Sequence, residues 1–391
     1  MPITFLHTAD WQLGKPFAGV DDEQKRALLQ QERLNVLDRI GEVARTHNAE
    51  FVLVAGDLFD SPSVTKFCVS AACSAIGRIG VPVLAIPGNH DHGGPGSVWA
   101  QRFFLEEARQ LAPNLQVLLK PEPIEVGHVI VLPCPLVRRH ESSDPTTWLR
   151  TVGPDLPKYG DKTRIVLAHG SVQGFGSEAT DEEESGGGVP NLIDLTRLPE
   201  DELDYLALGD WHGTKQVAPK AWYAGTPELD RFVKGGDHDP GNVLAVSAQR
   251  GRLPEVKPVR TCRFGWHELF YSLAGDADLA QLEAAVNDKT SSRAGQDLVR
   301  LELRGSLSIE ASVRLDAILE TWRARLLRLK LSNETAIAPS EAEIQALTQR
   351  ASDPLISRVA ARLVQLAEGT TEEAAAAQLA LRELHAATLQ C

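Results

Sequence analysis

Short apolar runs alternate with helical patterns over roughly the first 250 residues of the chain. Runs at 3–7, 51–55 and 81–86 are typical of buried strands, and the segments between them have the apolar spacing of amphipathic helices. This alternation predicts a parallel sheet. Later strand-like runs lack intervening helices and predict a second, partly antiparallel sheet; they lie at 115–119, 128–132, 164–168, 205–208, 221–225 and 242–247. We therefore expect an α/β fold in which two sheets pack face to face as a sandwich with helices outside.

The pattern changes near residue 262. Strand-like runs at 266–271 and 298–303 are each followed by a helical pattern, at 276–287 and 312–329, which predicts a small α+β unit. The remaining residues have a helical pattern and carry a capping-box signature, Ser340-x-x-Glu343. We therefore expect three parts: a main α/β domain at 1–261, a small α+β capping domain at 262–338 and a helical C-terminal segment at 339–391.

Composition limits the class of protein. With 43% hydrophobic residues the 391-residue chain can bury a large core, and no uncharged apolar run approaches the ~18 residues of a membrane helix. The first residues lack a basic segment, so we expect neither a secreted nor a membrane protein. The five cysteines are scattered without metal-ligand spacing, which favours a reducing, cytoplasmic setting.

The net charge of −13 argues against a protein held on nucleic acid by bulk electrostatics, although one local site could still contact it. Part of the acidic excess is local, because five acidic residues lie between 178 and 184, just before three glycines at 186–188. We interpret this stretch as a solvated loop.

Five successive apolar runs each end in a cluster of Gly, Asp, Asn and His. The clusters are HTADWQ at 7–12, GDLFD at 56–60, GNHDH at 88–92, AHG at 168–170 and GDWHG at 209–213. Any one of them could be a simple turn, but turn chemistry does not explain why the same residue types recur at each strand end. Ligand sites in open α/β sheets form beyond the carboxyl ends of strands, so we expect these side chains to meet at one rim.

These residue types provide oxygen and nitrogen ligands without sulfur, a set that suits manganese, iron or zinc. One carboxylate can bridge two cations, and two cations ~3.5–4 Å apart can clamp a phosphoryl group. The pattern therefore predicts two divalent metal ions and phosphoryl-transfer chemistry.

The ordered series resembles the calcineurin-like metallophosphoesterases, whose pattern is Asp-x-His, Gly-Asp-x-x-Asp, Gly-Asn-His-Asp/Glu, a lone His before Gly, and Gly-His-x-His. Within that superfamily the segments HTADWQLG, VLVAGDLFDSP, IPGNHD and YLALGDWHG are similar to SbcD-type DNA repair nucleases. They are more similar still to a bacterial group of DNA-processing metallophosphoesterases encoded beside an Lhr-Core helicase and an ATP-dependent DNA ligase. The resemblance covers about residues 1–260.

The resemblance implies a role for each matching position. Asp57 would bridge both metals, and His90 would protonate the leaving oxygen or stabilise charge on the phosphate, with Asp60 orienting its imidazole. The remaining ligands would be divided between the metals, the first taking Asp10, Gln12 and His212 and the second taking Asn89, His169 and Asp210.

Two positions depart from the family pattern. Gln12 stands where Asp-x-His has histidine, and Asp210 stands where Gly-His-x-His has its first histidine. Because amide and carboxylate oxygens suit manganese better than imidazole does, the departures favour manganese as the cofactor. They also leave open a degenerate member that has lost catalysis.

The resemblance implies a single-strand DNA endonuclease in DNA repair, with the helicase and the ligase as candidate pathway partners. Candidate substrate contacts are His92 and the basic pair Arg138 and Arg139, for which an ordinary surface role is the alternative. Two other functions stay open: a small-nucleotide phosphodiesterase or phosphomonoesterase, and a non-catalytic module that binds a partner.

Overall fold

A computed structural model describes residues 2–172, 191–232, 239–291, 293–368 and 371–389. The chain divides into two compact units, Met1–Arg263 and Phe264–Cys391. The acidic stretch predicted to be a solvated loop, 178–184, lies outside the described residues. The part of the chain that the structure describes contains no helix that is both long and apolar enough to cross a membrane.

The first unit contains two six-stranded sheets, and the strand order is β14-β13-β1-β2-β3-β4 in the first and β11-β12-β10-β7-β6-β5 in the second. The strands of this unit are β1 (Ile3–Thr8), β2 (Val52–Ala55), β3 (Val83–Ile86), β4 (Leu115–Val117), β5 (Ile124–Val126), β6 (Val129–Cys134), β7 (Thr163–His169), β8 (Ser171–Val172), β9 (Leu192–Ile193), β10 (Tyr205–Gly209), β11 (Lys215–Ala218), β12 (Ala221–Tyr223), β13 (Asn242–Ala248) and β14 (Glu255–Arg260). In the first sheet β1 to β4 are parallel, and in the second β6, β7, β10 and β12 are parallel.

Helices cover the outer faces of both sheets. They are α1 (Glu23–Thr46), α2 (Lys66–Ile79), α3 (Arg102–Leu111) and the short α4 (Trp148–Val152). Helix α1 begins after Asp22, whose carboxylate accepts main-chain N–H groups of the first turn. Helix α2 ends just before Gly80, whose φ of 85° is a conformation that glycine adopts without steric cost.

A continuous apolar core lies between the two sheets. Phe5 and Phe51 of the first sheet stack with ring centroids 5.2 Å apart, and Leu53 beside them shares a buried cluster with Ile165 and Leu167 of the second sheet. Strands that are buried on both faces are apolar throughout, which is why these runs do not alternate with polar residues. Each such side chain stabilises the fold by roughly 1.5–3 kcal/mol. The predicted α/β sandwich flanked by helices is confirmed.

The assignment of two runs to the second sheet is wrong. The run at 115–119 forms β4 at one edge of the first sheet, and the run at 242–247 forms β13, which pairs antiparallel with β1. An apolar run predicts a strand but does not show which strand it pairs with. Strand β13 pairs with β1 although more than two hundred residues separate them, so no local signal predicts this pairing.

His7 lies near the carboxyl end of β1, fully buried between the sheets. Its Nε2–H donates to the main-chain oxygen of Leu208 (3.1 Å), and its Nδ1 accepts from the hydroxyl of Tyr205 (2.9 Å). Burial lowers the pKa of His7 to about 3, because no opposite charge offsets the loss of water. The imidazole is therefore neutral in the folded protein.

We expect this histidine to weaken the fold in acid. Between its usual pKa of 6.5 and its folded value of about 3, the unfolded chain binds a proton that the folded chain does not. Stability is therefore lost as the pH falls through this window, by about 1.4 kcal/mol per pH unit for one group. Urea unfolding of wild type and His7→Gln from pH 7 to pH 4 measures this slope. Equal slopes for the two proteins would show that His7 does not carry the effect.

The second unit has a three-stranded parallel sheet, β15-β16-β17, with helices α5 and α6 packed on it through a buried cluster of leucines. Its elements are β15 (Gly265–Leu273), α5 (Asp278–Thr290), β16 (Asp297–Leu307), α6 (Ile309–Arg325), β17 (Arg328–Ile337), α7 (Glu341–Thr348), α8 (Pro354–Ala367) and α9 (Glu372–Leu389). The capping box is confirmed, because Ser340 and Glu343 each bond the other's main-chain N–H. Helices α7 to α9 share an apolar cluster with Ile309 and Ile337. The three-part division at 1–261, 262–338 and 339–391 stays a prediction.

Candidate metal centre

Three buried side chains meet at the carboxyl ends of β1, β2 and β7. Asp10, Asp57 and His169 each present one ligand atom within 4.8 Å of the other two. The three side chains are almost fully buried, so their charges are not screened by water. Three of the five motifs, from strands of both sheets, thus meet in a single cluster in the structure.

Asn89 and Asp210 complete the group around His169. The Nε2 atom of His169 lies 2.8 Å from Asn89 Oδ1 and 3.8 Å from Asp210 Oδ1, and Asp57 Oδ2 is 3.7 Å away. On the other side of the ring, the Nδ1–H of His169 donates to the main-chain oxygen of Ala55 (2.8 Å). This second contact fixes the ring and leaves Nε2 toward the oxygens, as in histidines that bind metals. The structure therefore brings together all four residues predicted for the second metal.

The electrostatics of the cluster favour an added positive charge. Burial raises the pKa of Asp10 well above its usual value, and the neighbouring Asp57 and Asp210 carboxylates raise it further. For His169 burial lowers the pKa, but the carboxylates of Asp57, Asp10 and Asp210 outweigh it and raise the value to about 9. The protein thus places a proton on His169 Nε2 among oxygen acceptors, in the position where a divalent cation would satisfy the same oxygens. The residues fit such a cation.

The main chain at the cluster has an unusual conformation. The φ angle is positive at Asp10 (53°), Gln12 (42°), Asp57 (54°) and Asp210 (100°), a region that residues other than glycine rarely adopt. Main-chain hydrogen bonds hold the first two, from Asp10 N to Gly56 O (3.1 Å) and from Gln12 N to Asp57 O (2.8 Å). Such strained positions concentrate at functional sites because only the surrounding structure can maintain them. Four of the predicted ligands share this property.

Glycines make the close approach of the ligands possible. A Cβ atom on Gly88 would lie 2.1 Å from Asp57 Oδ1, and one on Gly56 would lie 2.2 Å from His169 Nδ1. A Cβ atom on Gly209 would lie 1.9 Å from the Ala55 main-chain oxygen that orients His169. The glycines of the motifs are therefore required by packing against the ligands themselves.

Of the residues predicted for the first metal, Asp10 lies in this cluster, whereas Gln12 and His212 are arranged differently. Gln12 and His212 face each other with their Nε2 atoms 3.4 Å apart, while the Nδ1–H of His212 donates to Asp230 Oδ1 (3.1 Å). Burial lowers the pKa of His212 to about 4, and Arg231 lowers it further against the opposing effect of Asp230. His212 is therefore neutral and is outside the close group of Asp10, Asp57 and His169.

His90 is placed beside the cluster without joining it. Its main-chain N–H donates to Asp57 Oδ1 (2.9 Å), and its ring Nδ1–H donates to the main-chain oxygen of Asp60 (2.9 Å). The sequence predicts that the carboxylate of Asp60 orients the imidazole, and the structure shows the carbonyl in that place instead. The carboxylate of Asp60 lies 3.5 Å from Lys15 Nζ, and burial raises its pKa. The ring of His90 is thus oriented, with Nε2 left for another partner.

The three candidate substrate contacts lie on loops connected to this site. His92 is half-buried, and Arg138 and Arg139 are exposed. The loop after His92 is joined to the arginine loop, because Gly93 N–H donates to the main-chain oxygen of Leu136 (2.7 Å). The arginine loop in turn is joined to the metal cluster through one asparagine and one serine. The contacts run from Asn191 Nδ2 to Arg139 O (3.1 Å), from Ser171 N to Asn191 O (3.2 Å) and from Ser171 Oγ to Asp210 Oδ2 (2.7 Å).

Sequence reasoning missed several residues that support the site. Arg33 of α1 is buried and donates to the main-chain oxygens of Asp10 (3.0 Å) and Trp11 (2.8 Å), which fixes the loop after β1. Asp91 accepts N–H groups from Gly88 (2.7 Å) and Phe59 (3.0 Å) and so ties two motifs together. The one signal for Arg33 in the sequence was its position, since this charged residue stands where the helical pattern has apolar residues.

A second ionic network on α1 reaches the end of the first unit. Arg39 bonds Glu228 Oε2 (2.9 Å) and the main-chain oxygen of Thr261 (2.6 Å), and Arg263 N–H donates to Glu228 Oε2 (2.9 Å). The hydroxyl of Thr261 donates to the main-chain oxygen of Pro227 (2.7 Å). The segment from Thr261 to Arg263 is therefore fixed to the unit that carries the metal centre.

Aspartate, asparagine and histidine donors at the carboxyl ends of parallel strands, within a two-sheet sandwich, define a metal-dependent hydrolase of phosphoesters. The chain belongs to the calcineurin-like phosphoesterase family, whose sequence profile matches residues 3–239, more than half of its length. Among solved structures it is similar to TT1561 of Thermus thermophilus, with 14% identity and a TM-score of 0.39 over 66% of this chain and 100% of that one. Another solved structure matches at 13% identity and the same TM-score, over 67% of this chain and 100% of that one. Neither likeness is close enough to support an argument.

Proposed function

We propose that this protein is a manganese-dependent phosphodiesterase that cuts single-stranded DNA, acting as an endonuclease in DNA repair. The observation that carries the proposal is the placement of His90. Its main chain is bonded to Asp57, while its ring is oriented by the carbonyl of Asp60 and is not engaged with the cluster. When a phosphodiester bond of DNA breaks, the sugar oxygen leaves as an alkoxide that needs a proton, and a histidine held beside the metal cluster can supply it.

The side chains of the site have different proposed roles. Asp57, with Asp10, Asn89, His169 and Asp210, would hold the cations, and Gln12 and His212 are the further proposed ligands of the first cation. Bound divalent cations would supply charge stabilisation to the phosphate oxygens and activate a water molecule. Because Nδ1–H of His90 is fixed on the carbonyl of Asp60, the proton for the leaving oxygen would be carried on Nε2 of the doubly protonated ring, which becomes neutral when it gives up that proton. Arg33 keeps the loop of Asp10 in position through its hydrogen bond to the main-chain oxygen of Asp10.

Three features support DNA, and a single strand in particular, as the substrate. The segments that resemble SbcD-type nucleases are those that form the metal cluster. Arg138 and Arg139 are exposed on the loop that Asn191 and Ser171 connect to Asp210, so they can contact backbone phosphates next to the cations. The net charge of −13 disfavours a long duplex interface, whereas a flexible strand needs only a local one.

Manganese is the proposed cofactor because oxygen replaces nitrogen at two positions. Gln12 and Asp210 provide amide and carboxylate oxygens where the family pattern has imidazoles, and these oxygens suit manganese. We further propose that the protein acts in the cytoplasm together with a helicase and a DNA ligase. The resemblance in motif sequences supports this pathway.

A phosphomonoesterase or small-nucleotide phosphodiesterase is the second candidate. The acidic net charge of −13 favours it, since a small substrate requires no basic surface. The two functions differ in the need for an acid, because a phosphomonoester assay with nitrophenolate as leaving group does not require His90. A protein without any hydrolysis would instead be the partner-binding module.

The test is a digest of circular single-stranded DNA with magnesium, manganese, cobalt, nickel and zinc in turn. A circle has no ends, so its conversion to linear fragments establishes endonuclease action, and we expect manganese to support it best. Asp57→Ala protein purified in the same way is the control for contaminating nuclease. Intact circles with every metal, together with hydrolysis of a phosphomonoester, would favour the second candidate and contradict the proposal.

A further inference from the structure

Gln12 and His212 belong to a closed ring of four side chains, completed by Lys15 and Asp230. Lys15 Nζ donates to Gln12 Oε1 (2.8 Å), and Gln12 Nε2 faces His212 Nε2 (3.4 Å). The Nδ1–H of His212 donates to Asp230 Oδ1 (3.1 Å), and Asp230 Oδ2 lies 3.2 Å from Lys15 Nζ. We call this arrangement the Lys15 ring.

The ring occupies the atoms that a first cation would need. The amide oxygen of Gln12 accepts from the ammonium group of Lys15, so its amide nitrogen, which is no ligand, is turned toward His212. The Nε2 atom of His212 is turned toward that same nitrogen, and Arg231 Nη2 lies 3.2 Å from it as well, so it accepts from protein donors. Two of the three ligands predicted for the first cation, Gln12 and His212, therefore already make contacts within the protein. A cation there competes with the ammonium group of Lys15 for the amide oxygen of Gln12.

The charges around the two predicted cation positions also differ. Beside Gln12 and His212 the two carboxylates, Asp60 and Asp230, are matched by two cationic groups, because Lys15 contacts both and Arg231 contacts Asp230. Asp230 is only 2% exposed, and its Oδ2 lies 3.2 Å from Lys15 Nζ and 3.4 Å from Arg231 Nε. Asp10 and Asp57 adjoin both positions, whereas the further carboxylate of Asp210 adjoins His169, with Oδ1 3.8 Å from Nε2. A divalent cation thus meets more opposing positive charge beside His212 than beside His169.

We propose that Lys15 sets a low affinity for the first cation, so that the protein holds one divalent cation tightly at His169 and a second weakly at His212. Lys15 acts here as a positioning residue, through its hydrogen bond to the amide of Gln12 and through its charge. The inference rests on the metal centre of the proposed function and is independent of whether the substrate is DNA.

The experiment is an equilibrium titration of the metal-free full chain with manganese, followed by the electron paramagnetic resonance signal of free Mn²⁺. For wild type we expect two steps, one tight and one weaker. For Lys15→Met we expect the weaker step to tighten by about tenfold, because an ammonium group that repels the cation and holds the amide oxygen is gone. The tight step should not change, since Asp57, Asn89, His169 and Asp210 keep their contacts.

Two variants separate the cause from general damage. Lys15→Arg keeps the charge and a donor, so its weaker step should match that of wild type. Lys289→Met removes the same charge from an exposed position on α5 and should leave both steps unchanged. If Lys15→Met does not fold, Gln12→His opens the same ring, because imidazole offers no carbonyl oxygen to Lys15, and the weaker step should tighten likewise.

Equal affinity for two cations in wild type would overturn the proposal, and so would a Lys15→Met titration that matches wild type. Neither result would affect the nuclease function. The nuclease function fails if circular DNA stays intact. If the titration still shows two steps in that case, the inference on Lys15 is supported and DNA is ruled out as the substrate.

Discussion

The His90→Asn protein should keep its bound cations and lose about 10²- to 10⁴-fold in turnover of a phosphodiester that has a poor leaving group. The main-chain N–H that bonds Asp57 is unchanged by the substitution, so the metal cluster stays intact. Only the imidazole is lost, and with it the proton for the leaving alkoxide. Turnover of a dinucleotide and metal content of the purified variant are the two measurements.

The leaving group provides the control for this result. A nitrophenyl ester leaves without protonation, so His90→Asn should lose much less activity toward it than toward the dinucleotide. His128→Asn, which makes the same change at an exposed turn between β5 and β6, should behave as wild type in both assays. Equal losses on both esters would show that His90 acts on binding or folding and not as an acid.

Asp57→Ala should remove the tight cation together with all activity. Asp57 approaches His169 Nε2 with one oxygen and the His90 main chain with the other, so its loss opens the centre of the cluster. In the metal-free state the variant should be at least as stable as wild type, because removing one buried carboxylate relieves its repulsion of Asp10. Elemental analysis and thermal unfolding with and without manganese measure the two effects.

Manganese raises the free energy of unfolding of a protein that binds it. The increase grows with the logarithm of the manganese concentration divided by Kd. Wild type and Asp161→Ala, which removes an exposed carboxylate, should therefore unfold at higher temperature with manganese, and Asp57→Ala should not. Two tightly held cations in Asp57→Ala would refute the bridging role.

Much of the fold and of the cluster could be predicted because their signals are local. Each apolar run ends in its motif within a few residues, and the parallel sheets then bring Asp10, Asp57 and His169 to one edge. The glycines were visible as well, since Gly56, Gly88 and Gly209 directly precede predicted site residues.

The parts that could not be predicted depend on contacts distant in sequence or on main-chain atoms. Lys15 looks like an ordinary surface residue until Asp230, more than two hundred positions away, is found 3.2 Å from it. The carbonyl of Asp60 has no signature, because every residue has one. The helix predicted at 312–329 ends at Arg325, since Leu326 becomes extended and the apolar spacing continues into β17.

The network of Arg39, Glu228, Thr261 and Arg263 has a practical consequence for preparing the catalytic unit as a separate fragment. A chain that stops at residue 261 loses the Arg263 N–H that Glu228 accepts and puts a new terminal carboxylate where Arg39 bonds the oxygen of Thr261. Glu228 also provides the main-chain oxygen that Arg33 bonds while it holds the loop of Asp10. The position of the cut thus affects the loop of Asp10 through Arg33 and Arg39, both of which lie in α1. A fragment that extends beyond Arg263 keeps these contacts.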